Sequence, residues 1–254
     1  MLSKNKIKLI QSLNRKKDRD ESGLFLVEGN KMVEEALRSE YQIETLVCTS
    51  QFADQHPEIR SKAKELIEAD RDSIQKASLL QNPQEALAIV MQPKLITPEL
   101  NLNTELCLAL DFIQDPGNLG TILRIADWFG INTVICSENT VDVFNPKVVQ
   151  ASMGAIFRIK TSYTNLESFL LEASKSQIPV YGTFMDGNNI YTESLTKNGI
   201  IVLGNEGNGI SDSISRLVTR RISIPTFSTN PNKAESLNVA IAASICCSEF
   251  RRRE

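Results

Sequence analysis

Apolar and polar positions along this chain follow two textures separated by a stretch without any period. Over the first ninety or so residues, short apolar runs trade places with charged helical segments. The spacing predicts a helix over Lys4–Lys17, a strand over Leu24–Glu28, and a helix over Lys31–Arg38 with Val33, Ala36 and Leu37 inward. It continues with a strand at Ile43–Cys48, a helix opened by Pro57 and running to Glu68, a short helix at Asp72–Leu79 and a strand at Ala86–Met91. Gln92–Thr104 then carries two prolines and no repeat, the texture of a linker. Its last nine residues, 96–104, divide a small α/β domain of residues 1–95 from a larger one of residues 105–254.

From Glu105 the pattern restarts as alternating strand and helix. Strands are predicted at Leu106–Leu110, Thr133–Cys136, Ala155–Ile159, Val180–Phe184, Ile200–Leu203 and Arg221–Ile224. Helices are predicted at Asn118–Phe129, Pro146–Ser152, Asn165–Ser176 and Glu235–Phe250, with a short one after the Leu203 strand. Alternation of this kind specifies an α/β domain with a mainly parallel sheet covered on both faces.

Composition narrows the setting. The 254 residues begin without the apolar core of a secretory signal, and no run approaches the roughly 18 apolar residues of a membrane helix, so a soluble, cytoplasmic protein is expected. The five cysteines form no CxxC pair and lie in apolar runs, as buried thiols do in a reducing compartment. The single histidine, His56, cannot supply a metal site, and none is expected. A net charge of −3 argues against indiscriminate polyanion binding. The basic residues are clustered, however: Lys4, Lys6, Lys8, Arg15, Lys16, Lys17 and Arg19 crowd the N-terminal segment and could grip RNA phosphates. Smaller clusters lie at Arg216, Arg220 and Arg221 and at Arg251–Arg253.

Candidate chemistry gathers in three blocks of the second domain. Asp115-Pro116-Gly117-Asn118 follows the first strand, with Arg124 behind it on an apolar helix where a lone guanidinium calls for an anionic partner. Leu203-Gly204-Asn205-Glu206-Gly207 follows a later strand, and its Glu206 sits between glycines on a loop open to a ligand. Ile224-Pro225 ends another strand, and Glu235-Ser236-Leu237-Asn238 opens the last helix with short polar side chains. Alone, the glycine-rich loop reads as a tight turn, and Glu235 and Ser236 read as helix caps. A dinucleotide-binding fingerprint would follow the first strand, and it does not, which disfavours an ordinary dehydrogenase or Rossmann-type methyltransferase.

Together, in this order and spacing, the blocks resemble the SpoU (TrmH-type) family of RNA ribose 2′-O-methyltransferases of the SPOUT superfamily. Phe25-Leu26-Val27-Glu28-Gly29-Asn30-Lys31 resembles the start of that family's small RNA-binding domain, and Ser152-Met153-Gly154-Ala155 is a further family-like stretch. The resemblance implies a trefoil-knotted second domain, a homodimer, S-adenosylmethionine as cofactor, and methyl transfer to a ribose 2′-hydroxyl in ribosomal or transfer RNA. It makes Asn118, Arg124, Glu206, Ser236 and Asn238 the catalytic set, with Arg124 also on the RNA. Thr183, Leu203, Gly204, Asn205, Glu206, Gly207, Ile224, Ser236, Leu237 and Asn238 become the cofactor pocket. The nine residues Thr226–Ala234, where the family has a shorter connection, depart from its pattern. A non-catalytic RNA-binding protein on the same scaffold and a nucleotide-dependent oxidoreductase are the alternatives.

Overall fold

A computed structural model describes residues 2–94, 101–230, 232 and 234–252. The chain forms two compact units, residues 1–94 with 142–158, and residues 95–141 with 159–254. Residues 96–100 of the expected linker lie outside the described residues, and so does Arg253; Asn101 and Thr104 close a turn through Thr104 N–H to Asn101 C=O at 2.9 Å.

The first unit runs α1 (Lys4–Ser12), α2 (Lys16–Ser22), β1 (Leu24–Glu28), α3 (Asn30–Arg38), β2 (Ile43–Cys48), α4 (Ser50–Gln55), α5 (Ile59–Lys62), β3 (Ala63–Glu68), α6 (Arg71–Ala77) and β4 (Ala86–Met91). Its four-stranded sheet has the order β1-β4-β2-β3, with β4 antiparallel to β1 and β2 and with β3 parallel to β2. Two sequence expectations change here. The single helix over Lys4–Lys17 breaks in two, because Leu13 is fully buried and the chain turns at Leu13–Arg15 to put it there. The helix from Pro57 stops at Lys62, and Ala63–Glu68 becomes an edge strand: Leu66 and Ile67 pair with Leu46 and Val47, and tertiary pairing outweighs the helical preference of Ala-Lys-Glu-Leu.

The segment Asp142–Arg158 belongs to this unit although it lies between strands of the second in the chain. Phe144 packs on Phe25 with ring centroids 4.8 Å apart, and Glu35 pairs with Arg158. Gly154, at φ 91°, sits so close to Glu35 that a Cβ would lie 2.7 Å from its Cγ, so the glycine of the family-like stretch serves a close approach. Ala155–Phe157 is a 3₁₀ turn rather than the start of a strand.

The second unit runs β5 (Leu106–Leu110), α7 (Pro116–Trp128), β6 (Thr133–Ser137), then, after the excursion that carries α8 (Pro146–Ser152), β7 (Lys160–Thr164), α9 (Leu166–Lys175), β8 (Val180–Asn189), β9 (Gly199–Leu203), α10 (Asp212–Ser215), β10 (Arg220–Ser223) and α11 (Val239–Arg252). All six strands are parallel, in the order β10-β8-β9-β5-β6-β7. The central strands β5 and β9 are buried throughout, as expected of strands covered on both faces. Cys107, Ala109, Val180 and Val202 pack with Leu166, Leu170 and Ile214 from α9 and α10. Side chains alternate across a strand, and α7 and α11 serve the other face: Tyr181 of β8 meets Phe250 of α11 edge to face at 4.9 Å.

All five cysteines are buried, and burial pushes the thiols up, Cys48 to about 11 and Cys247 to about 12. Among the described residues no group of His, Cys, Asp and Glu could hold a metal ion, and no helix is long and apolar enough to cross a membrane.

Candidate active site

The parallel sheet directs the loops after β5, β9 and β10 to one edge. The chain leaves β5 toward β6 and β7 on one side and later fills the other side with β8, β9 and β10, so β5 and β9 flank a switch point, and the crevice above such a point is where open α/β sheets bind ligands. Asp111 bridges the two loops at its floor: its N–H reaches Leu203 C=O at 2.9 Å and its carboxylate accepts from Ser211 N–H at 2.7 Å. Phe112 follows in the left-handed region at φ 63°, a strained setting for a ring-bearing residue. Ser137 Oγ accepts its N–H at 2.8 Å, and its C=O accepts from the Asn205 amide at 2.9 Å.

Asp115 caps α7, accepting from Asn118 N–H at 2.8 Å, with Pro116 in the first turn. The cap fixes Asn118 three residues into the helix. Its side-chain amide donates to Glu206 Oε1, and its Oδ1 accepts from the Asn238 amide at 2.9 Å. One side chain from each of the three blocks therefore joins a single hydrogen-bonded cluster. An amide suits the middle of it because one planar group both donates to a carboxylate and accepts from a second amide, through different atoms.

Glu206 is held out by a closed loop. Asn205 and Gly209 exchange main-chain hydrogen bonds at 2.9 and 2.8 Å, and Asn205 Oδ1 accepts from Gly207 N–H at 2.8 Å. A Cβ on Gly204 would stand 2.3 Å from the main chain of both Gly209 and Ile210, so this glycine permits close backbone approach rather than positive φ. Thr183 lies on β8 with its hydroxyl donating to Val202 C=O at 3.2 Å. Here β8 departs from expectation: it runs to Asn189, and its register against β10 jumps from Arg221↔Gly182 to Ile222↔Asn188, so Thr183–Gly187 bulges from the ladder.

The last helix starts later than its pattern suggests. Glu235, Ser236 and Leu237 are exposed and non-helical, and Asn238 provides the cap, its Oδ1 accepting from Ala240 N–H at 3.0 Å and Ile241 N–H at 3.2 Å. Among the described residues, Ile224, Ser236 and Leu237 make no hydrogen bond within the chain, so their main-chain groups are free for a ligand. Arg124 is exposed on α7 and, among the described residues, has no ion-pair or hydrogen-bond partner. It lies six residues past Asn118, about 9 Å along the helix axis.

A cavity of about 390 Å³ opens at the same sheet edge, lined by Asp111, Phe112, Ser137, Asn208 and Ser211 and not by Asn118, Glu206 or Asn238. Of the predicted residues, Asn205 lines it. Asp111, Phe112 and Ser137 carry no motif signal; the one hint in sequence is that polar residues end two strands.

The N-terminal basic cluster needs correction. Arg19 is 1% exposed, held by Asp142 at 2.5 Å and donating to Leu13 C=O at 2.8 Å and Asn14 C=O at 2.9 Å, so it is an internal tie and not a phosphate contact. Lys6 bonds Glu65 at 2.6 Å, and Arg15, Lys16 and Lys17 each face an acid three or four residues on, Asp18, Asp20 and Glu21. These acids neutralise much of α2. Lys4 and Lys8 remain exposed, and the exposed pairs of α2 are weak enough to yield to a phosphate. At the other terminus Arg251 also has internal work, donating to Phe129 C=O at 2.8 Å and Gly130 C=O at 3.0 Å.

The signature of the SpoU rRNA Methylase family matches residues 105–248, and that of an MRM3-like substrate binding domain matches residues 4–88. The chain is 30% identical over 97% of its length, and 96% of the relative's, to the 23S rRNA (guanosine(2553)-2′-O)-methyltransferase of Bacillus subtilis. Among solved structures it resembles a protein assigned to the TrmH family of RNA methyltransferases from Porphyromonas gingivalis, at 40% identity, TM-score 0.88 and full coverage of both chains. It also resembles an AdoMet-bound rRNA methyltransferase from Sinorhizobium meliloti, at 31% identity and TM-score 0.85, covering 100% of this chain and 96% of that one.

Proposed function

The chain belongs to the SpoU rRNA methylase family, and from that membership we propose that it methylates the 2′-hydroxyl of one ribose in ribosomal RNA, using S-adenosylmethionine. The hydrogen-bonded cluster of Asn118, Glu206 and Asn238 carries the site assignment, since it draws all three sequence blocks to one point. The free main-chain groups of Ile224, Ser236 and Leu237 fit a cofactor with an adenine and an amino-acid end, each rich in donors and acceptors. Thr183 and the Leu203–Gly207 loop complete the same pocket.

S-adenosylmethionine, when bound, supplies a sulfonium methyl that is already strongly electrophilic. The chain's residues have to bring a ribose hydroxyl into line and manage its proton. Arg124 is suited to grip the neighbouring phosphate and stabilise the emerging alkoxide through its planar fork of donors, and it stays protonated throughout. Glu206, Ser236 and Asn238 hold the cofactor side of the site in shape, and Asn118 links it to the helix that carries Arg124. Residues 1–95, together with Asp142–Arg158, form the RNA-holding unit, in keeping with the substrate-domain signature over residues 4–88; Lys4, Lys8 and the α2 cations serve it. Residues 105–141 and 159–254 form the knotted transferase domain. Mapping 2′-O-methylation across ribosomal and transfer RNA, in cells with and without this gene, tests the assignment. One ribosomal position should lose its methyl. A loss confined to transfer RNA corrects the substrate, and no loss anywhere overturns the activity.

The proposed assembly is a cytoplasmic homodimer. Trp128 is 85% exposed near the end of α7, and Leu237 at 48% and Ile241 at 54% are exposed near the start of α11, so this helix pair carries large apolar side chains at both ends that a second copy would cover. Sedimentation at low concentration should give a dimer, and Ile241→Glu should give monomers with little activity. A fully active monomer rules out the shared interface.

A further inference from the structure

Glu28 is a chemically expensive residue with no place in the transferase site. It ends β1 at 5% exposure, accepting from Ser78 Oγ at 2.5 Å and from Leu79 N–H at 3.2 and 3.3 Å on its two oxygens. Burial pushes its carboxyl above the ordinary range while the Ser78 and Leu79 donors pull it back. A structural role would be met by a neutral amide, since both donors need only an acceptor. Glu28 also lines a cavity of about 360 Å³, inside the first unit. Leu26, Leu79, Leu80, Pro146 and Val149 give it apolar walls, and Lys147 and Gln150 from α8 bring donors to the same space.

We propose that this cavity receives an unpaired guanine of the RNA, read by Glu28. The proposal rests on the RNA-methyltransferase reading and deepens it. Apolar walls on a small pocket suit a flat base turned out of a single-stranded loop, the usual mode of sequence-specific RNA recognition. The polar pattern selects among the bases. Guanine presents two adjacent donors, N1–H and the 2-amino group, next to the acceptor O6. A fixed carboxylate beside an ammonium or amide donor matches that order. Adenine and cytosine each place an acceptor beside their amino group, and uracil flanks its one donor with two carbonyls, so each would set an acceptor against the carboxylate.

The test is nucleotide binding by the full chain, read from the ¹³C-methyl NMR signals of Leu26, Leu80 and Val149. Guanosine 5′-monophosphate should bind with millimolar affinity and shift these signals. Inosine 5′-monophosphate, lacking the 2-amino group, should bind at least about tenfold more weakly, as loss of a hydrogen bond to a charged group implies. The 5′-monophosphates of adenosine, cytidine and uridine should bind no better. Glu28→Gln should weaken guanosine monophosphate about tenfold or more while leaving thermal stability at neutral pH unchanged or raised. Lys147→Ala, on an exposed position of α8, gives the same reading should the first variant fold poorly. Equal response to all bases, no response, or a response indifferent to both substitutions overturns the proposal. Methyl transfer to total RNA, measured beside it, separates the two failures: activity with no guanine preference sinks only this pocket, and absent activity sinks the function.

Discussion

Replacing Arg124 with alanine should lower turnover by about a hundredfold or more, the range seen when one group that stabilises developing charge is removed, while S-adenosylmethionine affinity and thermal stability barely move. The guanidinium is exposed and, among the described residues, unpartnered, so nothing in the fold depends on it. It stands on the same helix as Asn118 but outside the Asn118, Glu206 and Asn238 cluster, which leaves it to the substrate. Arg124→Lys should fail to restore the rate, because a point charge cannot engage phosphate and alkoxide together as a planar fork does. Calorimetry with the cofactor, run beside a tritiated-methyl assay, separates the effects. Collapse of cofactor binding along with activity would move Arg124 from the RNA side of the site to the cofactor side.

Gly204→Ala should damage the other half of the site. Its Cβ would press within 2.3 Å of the Gly209 carbonyl carbon and the Ile210 nitrogen, and main chain on both sides leaves no flexible group to yield. The loop must open, breaking the Asn205–Gly209 exchange and swinging Glu206 away from Asn118. Overpacking of this kind costs roughly 1–3 kcal/mol and at times more, and cofactor affinity should fall at least about tenfold with the loop's shape. Gly207→Ala is the control: its Cβ would meet Asn205 Oδ1 at 3.4 Å, a contact the amide can relieve, so stability should hold. Thermal unfolding and cofactor titration of both variants decide the matter. Equal damage from the two would mean that the loop needs glycine for flexibility, not for close approach.

The parts that rest on local pattern are legible in the chain before it folds. Continuous apolar runs of the second domain, such as Leu106–Leu110 and Ile200–Leu203, are short enough to suit strands buried on both faces, and the parallel sheet follows from their alternation with helices. Asp115-Pro116 is a local helix-start signal, a capping carboxylate followed by proline in the first turn. The three polar blocks were legible as one site because each follows a strand, and parallel strands present their carboxyl ends together.

Tertiary structure decided whatever depends on a partner distant in the chain. Ala63–Glu68 became a strand because β2 offered an open edge, and Asp142–Arg158 joined the first unit because Phe25 and Glu35 were there to meet it. Arg19, indistinguishable in sequence from the lysines beside it, turned inward because Asp142 and two carbonyl groups stood ready to compensate its burial. The cap moved from Glu235 and Ser236 to Asn238 because Asn118 also claims that amide. Gly204 looked like a turn glycine, and only the backbone folded against it reveals a steric demand. Local pattern is set by interactions a few residues apart, whereas burial, charge pairing and close approach depend on which distant segments meet, and that information exists only once the chain has folded.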